Sequence, residues 1–175
     1  MLKTNLKRIL DHECCRNVDA AVLIPITDSK NPKIVMIKRA ENLKRSSGQV
    51  AFPGGMIEEG EDPVKAALRE ANEELGIEGA EVLGFLSPTE VRFYNILICP
   101  VVGMIDSLEF KPCSGEVEKV LVDDLKEVLA SRSFACSGVI FKCAGEIVWG
   151  ASSRVLDDLF IRIVKNYKSI EKFFY

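Results

Sequence analysis

The chain has 175 residues, with 23 Lys and Arg against 26 Asp and Glu, for a net charge of −3. That length fits one domain with a core of its own, and 47% hydrophobic with 28% charged residues is the profile of a globular protein that folds in water. The balance holds no basic excess of the kind that nucleic-acid binding needs, so an anionic small-molecule partner must be held by local positive charge or by a metal.

No apolar stretch approaches the ~18–20 residues that cross a membrane, and the start, MLKTNLKRILDHECC, lacks the continuous apolar segment of a secretory signal. Six cysteines, at positions 14, 15, 99, 113, 136 and 143, form no CxxC pair and are accompanied by one histidine, His12, which argues against zinc. The expectation is reduced cysteines in a cytoplasmic protein, monomer or homodimer, with no peroxisomal address at Tyr175.

In chain order, Leu2, Leu6, Ile9 and Leu10 recur at helical spacing and predict a short amphipathic helix in an N-terminal extension, residues 1–17. Ala20–Ile26 is apolar and rich in strand formers, and Lys33–Arg39 follows as a second strand after the turn-like DSKNP. Pro53-Gly54-Gly55 is expected to break any regular element. Asp62 can cap a helix that has Pro63 in its first turn and stops at Gly76. Strands are expected near 80–87, 95–105, 117–122 and 138–148, with a short helix at Asp123–Leu129. From about Ser152, Leu156, Leu159, Phe160, Ile163, Tyr167 and Ile170 predict a closing amphipathic helix. Strands interleaved with helices argue for a single α/β domain over 1–175, its sheet covered on both faces.

The helix Pro63–Leu75 concentrates the chemistry. Val64, Ala67, Leu68, Ala71 and Leu75 should face the sheet, with Glu70, Glu73 and Glu74 largely opposite. The three carboxylates stand at i, i+3 and i+4 and repel one another by a few tenths of a kcal/mol per pair. A hard cation would compensate that repulsion, and carboxylate oxygens are the ligands that Mg²⁺ and Mn²⁺ prefer.

The spacing from Gly55 through Glu61, Arg69-Glu70-Ala71 and Glu73-Glu74 to Gly76-Ile77 fills every specified position of GX5EX7REUXEEXGU. The chain thereby resembles the Nudix hydrolases, which split X–O–PO–O–PO–Y with water. The resemblance spans about residues 20–165 and implies the Nudix α/β/α sandwich around a mixed β-sheet. It also implies Mg²⁺ or Mn²⁺ on Glu70, Glu73 and Glu74, a structural set of Gly55, Glu61, Arg69 and Gly76, and a brace between Arg69 and Glu61. Gly54 and Gly55 let the backbone approach phosphates closely.

A second signature precedes the first. Val35–Gly55 resembles the LLTxR(S/A)x3Rx3Gx3FPGG stretch of the coenzyme A pyrophosphatase branch, with Arg39, Ala40, Gly48 and Phe52-Pro53-Gly54-Gly55 in register. Lys44 replaces the second Arg and Ile37 replaces Thr; lysine keeps the charge but loses the fork that grips phosphate. Arg39, Lys44, Gly54 and Gly55 are the substrate-binding candidates. The cluster Lys38, Arg39, Lys44, Arg45 reads either as an anion site or as a solvated basic surface. Ile147–Leu156 resembles the branch's closing WG-x-[ST]-x-R-[IV]-L. Within it Trp149 is read as core or helix-entry packing in preference to a base-stacking platform, and Arg154 as a minor candidate for substrate contact.

The resemblance implies a late loop glutamate that supplies a further metal ligand or the general base; Glu116, in the loop Ser114–Val117, is the candidate, with Glu118 in reserve and a solvated loop carboxylate as the alternative. Glu73, Glu116 and Arg69 then form the catalytic set, while Phe93-Tyr94 is read as core or loop packing in preference to a place near a nucleotide base. The resulting expectation is a metal-dependent diphosphatase of coenzyme A or its acyl derivatives. The alternatives are a Nudix hydrolase of ADP-ribose, dinucleoside polyphosphates or nucleoside triphosphates, and a non-catalytic nucleotide-sensing module.

Overall fold

The computed structural model describes residues 1–14, 17–43 and 46–174. Its sheet is built outward from Ala20–Thr27 (β1), an apolar segment buried at nearly every position. Alternation of side chains assigns its two faces: Ala21 and Leu23 join one buried cluster, Ile24 and Ile26 the other. Lys33–Arg39 (β2) does the same, with Val35 and Ile37 on the first face and Ile34 and Met36 on the second. Both strands fall where their composition puts them.

Val50–Ala51 (β3) pairs with β2, and Gly54–Met56 (β4) pairs antiparallel with β1. The strand β4 corrects the expectation that Pro53-Gly54-Gly55 breaks all regular structure. Its strand character comes from its partner: Val22 faces Gly54, Ala21 faces Gly55 and Ala20 faces Met56. A Cβ on Gly54 would stand 2.4 Å from the Ala21 carbonyl oxygen and 2.6 Å from the Val22 Cα, so only glycine admits this approach.

Pro63–Leu75 (α2) covers the first face. Glu81–Phe85 (β5), Thr89–Val91 (β6) and Ile96–Ile105 (β7) follow, with β7 parallel to β1 and both shorter strands antiparallel to β7. Val117–Asp124 (β8) pairs with β2 and leads into Leu125–Ala130 (α3). The sheet is thus mixed, in the order β3-β2-β1-β7-β5, with β4, β6 and β8 attached alongside.

A separate three-stranded sheet, Ser133–Ala135 (β9), Gly138–Cys143 (β10) and Glu146–Val148 (β11), replaces the continuous strand expected over 138–148. Ala144 and Gly145, both at positive φ, form the turn that divides it. Gly150–Tyr167 (α4) ends at Lys168 in the left-handed conformation, and Ile170 belongs to a further helix, Ile170–Phe174 (α5). Leu2–Ile9 (α1), α3, α4 and α5 close the second face with Leu6, Leu129, Leu156 and Phe173 in one cluster. Arg162 of α4 ties the N-terminal segment down, donating to the Ile9 carbonyl at 2.9 Å, to Asp11 at 2.7 Å and to Asp158 at 3.0 Å.

The structure joins Cys14 to Cys99, 85 residues apart, a departure from the expectation that every cysteine is reduced. Burial of Cys99 in β7 brings it beneath the residues that follow α1. Cys113 and Cys136 are free and exposed, and Cys143 is free and buried.

Candidate active site

The site gathers where the β4 loop meets α2. That helix begins as its sequence dictates, the Asp62 side chain accepting from the Lys65 amide at 2.9 Å with Pro63 in the first turn. It ends at Gly76 (φ 70), whose amide donates to the Asn72 carbonyl at 2.7 Å. Gly76 therefore shapes the helix end.

Arg69 is the hinge of the ion-pair network. Its Nε and Nη2 grip the two oxygens of Glu61 at 3.0 and 3.1 Å, and Nη2 also donates to the Met56 carbonyl at 3.1 Å. The fork thus joins helix, loop and strand, the bidentate geometry that arginine favours. The Arg69 guanidinium, and then the Glu58 amide, hold Glu61 below the usual carboxylate range. Nη1 of Arg69 donates to Glu70 at 2.7 Å and to Glu73 at 3.4 Å.

The three helix carboxylates occupy different environments. Glu73 is 59% exposed at its side chain. Glu70 lies against the loop: a Cβ on Gly55 would stand 2.4 Å from its Oε1. Glu74 is 1% exposed, which corrects the expectation that it faces outward with the other two. Its position near the end of α2 turns it beneath the glycine loop, where it accepts the Gly54 amide at 2.9 Å and lies 3.5 Å from Arg39 Nη1. Burial first pushes its carboxyl up to about 7; the Gly54 amide and Arg39 oppose the rise, and the charges of Glu70 and Glu116 add to it.

Arg39 stands at the end of β2 and enters a cavity of about 640 Å³ with Gly54. Its Nε is buried and makes no hydrogen bond among the described residues. Glu116 is exposed, in the loop before β8, near enough for its charge to act on Glu74. Glu118 is instead ion-paired with Lys38 at 3.3 Å, and Lys38 also meets Glu146 at 3.6 Å. Lys38 thus leaves the proposed basic cluster. Lys44 and Arg45 lie outside the described residues. Ile37 is fully buried beside Val35, so its departure from the signature concerns packing.

The other end of the cavity gathers residues for which the sequence favoured packing, together with Arg154, the minor candidate for substrate contact. It is lined by Arg92, Phe93 and Tyr94 after β6 and by Trp149 and Arg154 at the start of α4. Phe93 is 89% and Trp149 45% exposed, so neither is core packing, although Trp149 does stand at the N-cap of α4. The signal in the sequence was the basic-aromatic run Arg92-Phe93-Tyr94, too large and apolar for an ordinary turn.

Residues 17–135, well over half the chain, match the family model of the NUDIX domain. The chain belongs to the Nudix hydrolase family. "Uncharacterized Nudix hydrolase NudL" of Salmonella paratyphi B and of Salmonella newport are each 31% identical over 172 residues, spanning 90% of this chain and 89% of the relative. The fold is similar to that of a MutT/nudix family protein from Enterococcus faecalis, with TM-score 0.60 and 13% identity over 90% of this chain and 67% of the other. It is also similar to the MutT protein from Methanosarcina mazei Go1, with TM-score 0.58 and 17% identity over 87% and 96% of the respective chains. At those identities the likeness speaks to the Nudix fold alone. Nudix hydrolases act on phosphorus anhydrides of small-molecule nucleotides and generally use divalent metal ions. No helix among the described residues is long and apolar enough to cross a membrane.

The residues present fit a divalent cation in their chemistry. A buried carboxylate with two further carboxylates acting on it is an excess of negative charge, and all-oxygen donors suit a hard ion. Among the described residues no trio of acidic side chains is gathered at ligand spacing, because Glu70 and Glu73 lean on Arg69.

Proposed function

We propose that this Nudix hydrolase splits the diphosphate of coenzyme A or its acyl derivatives, releasing 3′,5′-ADP and 4′-phosphopantetheine or its acyl form. The observation that carries the reading is Arg39: a half-buried guanidinium whose buried Nε makes no hydrogen bond among the described residues, opening into a cavity beside the Gly54 loop. A diphosphate laid along that loop completes the hydrogen bonding of Arg39, in the place where the sequence resembles the coenzyme A branch. Glu70, Glu73 and Glu74 are the residues that would hold Mg²⁺ or Mn²⁺, and a bound ion would neutralise charge on the phosphate oxygens and make water a better nucleophile.

In this reading the protein groups divide the remaining work. Gly54 and Gly55, lacking side chains, let the loop backbone seat against β1 and Glu70 and so present it to the phosphates. Arg69 is a positioning residue: it fixes Glu61 and the loop and steadies Glu70 and Glu73. Glu116 takes a proton from the attacking water, whose oxygen joins one phosphorus as the bridging P–O bond breaks. Each half leaves with one of the two phosphates of the cleaved diphosphate.

The test is hydrolysis of coenzyme A beside ADP-ribose and diadenosine polyphosphates, with Mg²⁺ and then Mn²⁺, products separated by chromatography. Preferential release of 3′,5′-ADP, lost in Glu73→Gln, is the expected result. Cleavage of another substrate with coenzyme A untouched overturns the substrate and leaves the family chemistry standing.

A further inference from the structure

The arginines at the far end of the cavity stand apart from the site's other cations. Arg39 and Arg69 each meet carboxylates. Among the described residues neither Arg92 nor Arg154 makes an ion pair; Arg154 donates to the backbone carbonyl of Glu90, whose exposed carboxylate is the acidic group nearby. Burial and then the charge of Arg92 lower the pKa of Arg154, so the two guanidiniums repel each other at the cavity wall. Two like charges held together beside exposed aromatic rings cost stability and suit an anionic ligand that carries a flat base.

We propose that this end of the cavity, where Arg92 and Arg154 meet the rings of Phe93 and Trp149, takes a nucleobase together with a phosphate monoester separate from the scissile diphosphate. The inference rests on the preceding reading to the extent that the diphosphate lies at Arg39 and Gly54. It deepens that reading by assigning the nucleoside bisphosphate half to the β6–α4 end. Phe93 packs edge-to-face against Tyr94 with centroids 5.0 Å apart, which orients its ring. The Arg154 bond to Glu90 fastens the turn after β6 to the start of α4, so both rings and both cations belong to one wall. A cavity of about 640 Å³ has room for a nucleotide. Recognition of the additional phosphate is thereby assigned to Arg92 and Arg154.

Trp149 is the only tryptophan in the chain, so its fluorescence reports on the wall directly. Metal-free protein is titrated with 3′,5′-ADP and with 5′-AMP, which share the base and differ by one phosphate. Expected are quenching of Trp149 and about tenfold or greater preference for 3′,5′-ADP. Arg92→Ala should shrink that preference to about twofold with unchanged circular dichroism, Arg92 being exposed and unpaired among the described residues. Arg154→Lys, which keeps charge without the fork, should reduce it in part. Equal affinities, no quenching by either nucleotide at millimolar levels, or a preference lost in Lys44→Ala and kept in Arg92→Ala overturns the inference. Coenzyme A hydrolysis separates the two readings. Cleavage without the bisphosphate preference defeats the subsite alone. The preference without cleavage defeats the coenzyme A assignment and leaves a subsite for another phosphorylated nucleoside.

Discussion

Replacing Glu74 by Gln probes the electrostatic centre of the site. In metal-free protein, burial first raises this carboxyl from 4.5 to about 7. The folded chain therefore binds that proton more tightly than the unfolded chain does. Below pH 4.5 both states are protonated and nothing is lost. Between 4.5 and about 7 the unfolded state ionises first, so stability falls as pH rises, and above about 7 the loss is complete. A displacement of that size corresponds to about 3 kcal/mol. Glutamine has the same shape, keeps an oxygen for the Gly54 amide, and cannot ionise. In chelator, Glu74→Gln should match the wild type near pH 4.5 and exceed it by about 2–3 kcal/mol at pH 8, a rise in Tm of roughly 4–12 °C. Urea unfolding at both pH values, followed by circular dichroism, measures it. Added Mg²⁺ should favour the wild type alone, since an ion held by carboxylates stabilises the state that binds it. A mutant less stable than the wild type at pH 8, or a difference independent of pH, would refute the reasoning.

Gly54→Ala should cost about 1–3 kcal/mol by forcing β4 off β1 and should reduce turnover with it; Gly60→Ala, where a Cβ meets only open space, should leave turnover unchanged despite its positive φ. Arg69→Lys keeps the charge but not the fork that joins Glu61 and Met56, and should lower stability by about 1–2 kcal/mol and kcat more than KM in steady-state assays. Burial, with a smaller effect from Asp123, pushes the Cys143 thiol up to about 12. Thiol labelling at pH 8 should therefore modify Cys113 and Cys136 in native protein and reach Cys143 only on unfolding.

Much of this architecture was legible because local chemistry and tertiary structure agree. Asp62, Pro63 and Gly76 bound α2 at both ends, and β2 runs from Lys33 to Arg39 as its composition suggests. The failures share a cause. Gly54–Met56 has no strand propensity of its own and becomes a strand because β1 accepts it. Glu74 reads as a surface charge in a helical pattern, yet its neighbours across the fold supply an amide donor and an arginine. Glu118 looks equivalent to Glu116 until the pairing of β2 with β8 puts Lys38 beside it. The wall of Arg92, Phe93, Trp149 and Arg154 joins segments over fifty residues apart. The pairing of Cys14 with Cys99 likewise depends on where α1 docks.

The tight seat of the β4 loop also bears on how the molecule matures. Gly54 is wedged against the backbone of β1, Gly55 against Glu70 of α2, and the Gly54 amide against Glu74. None of these neighbours is adjacent to the loop in sequence, so a chain that has formed its helices and hairpins without docking them has no loop geometry at all. Catalytic competence should consequently appear late in refolding, after the gain of helical signal, and should vanish early under mild denaturant. Enzyme activity then serves as a gauge of completed tertiary assembly, more sensitive than any measure of helix content.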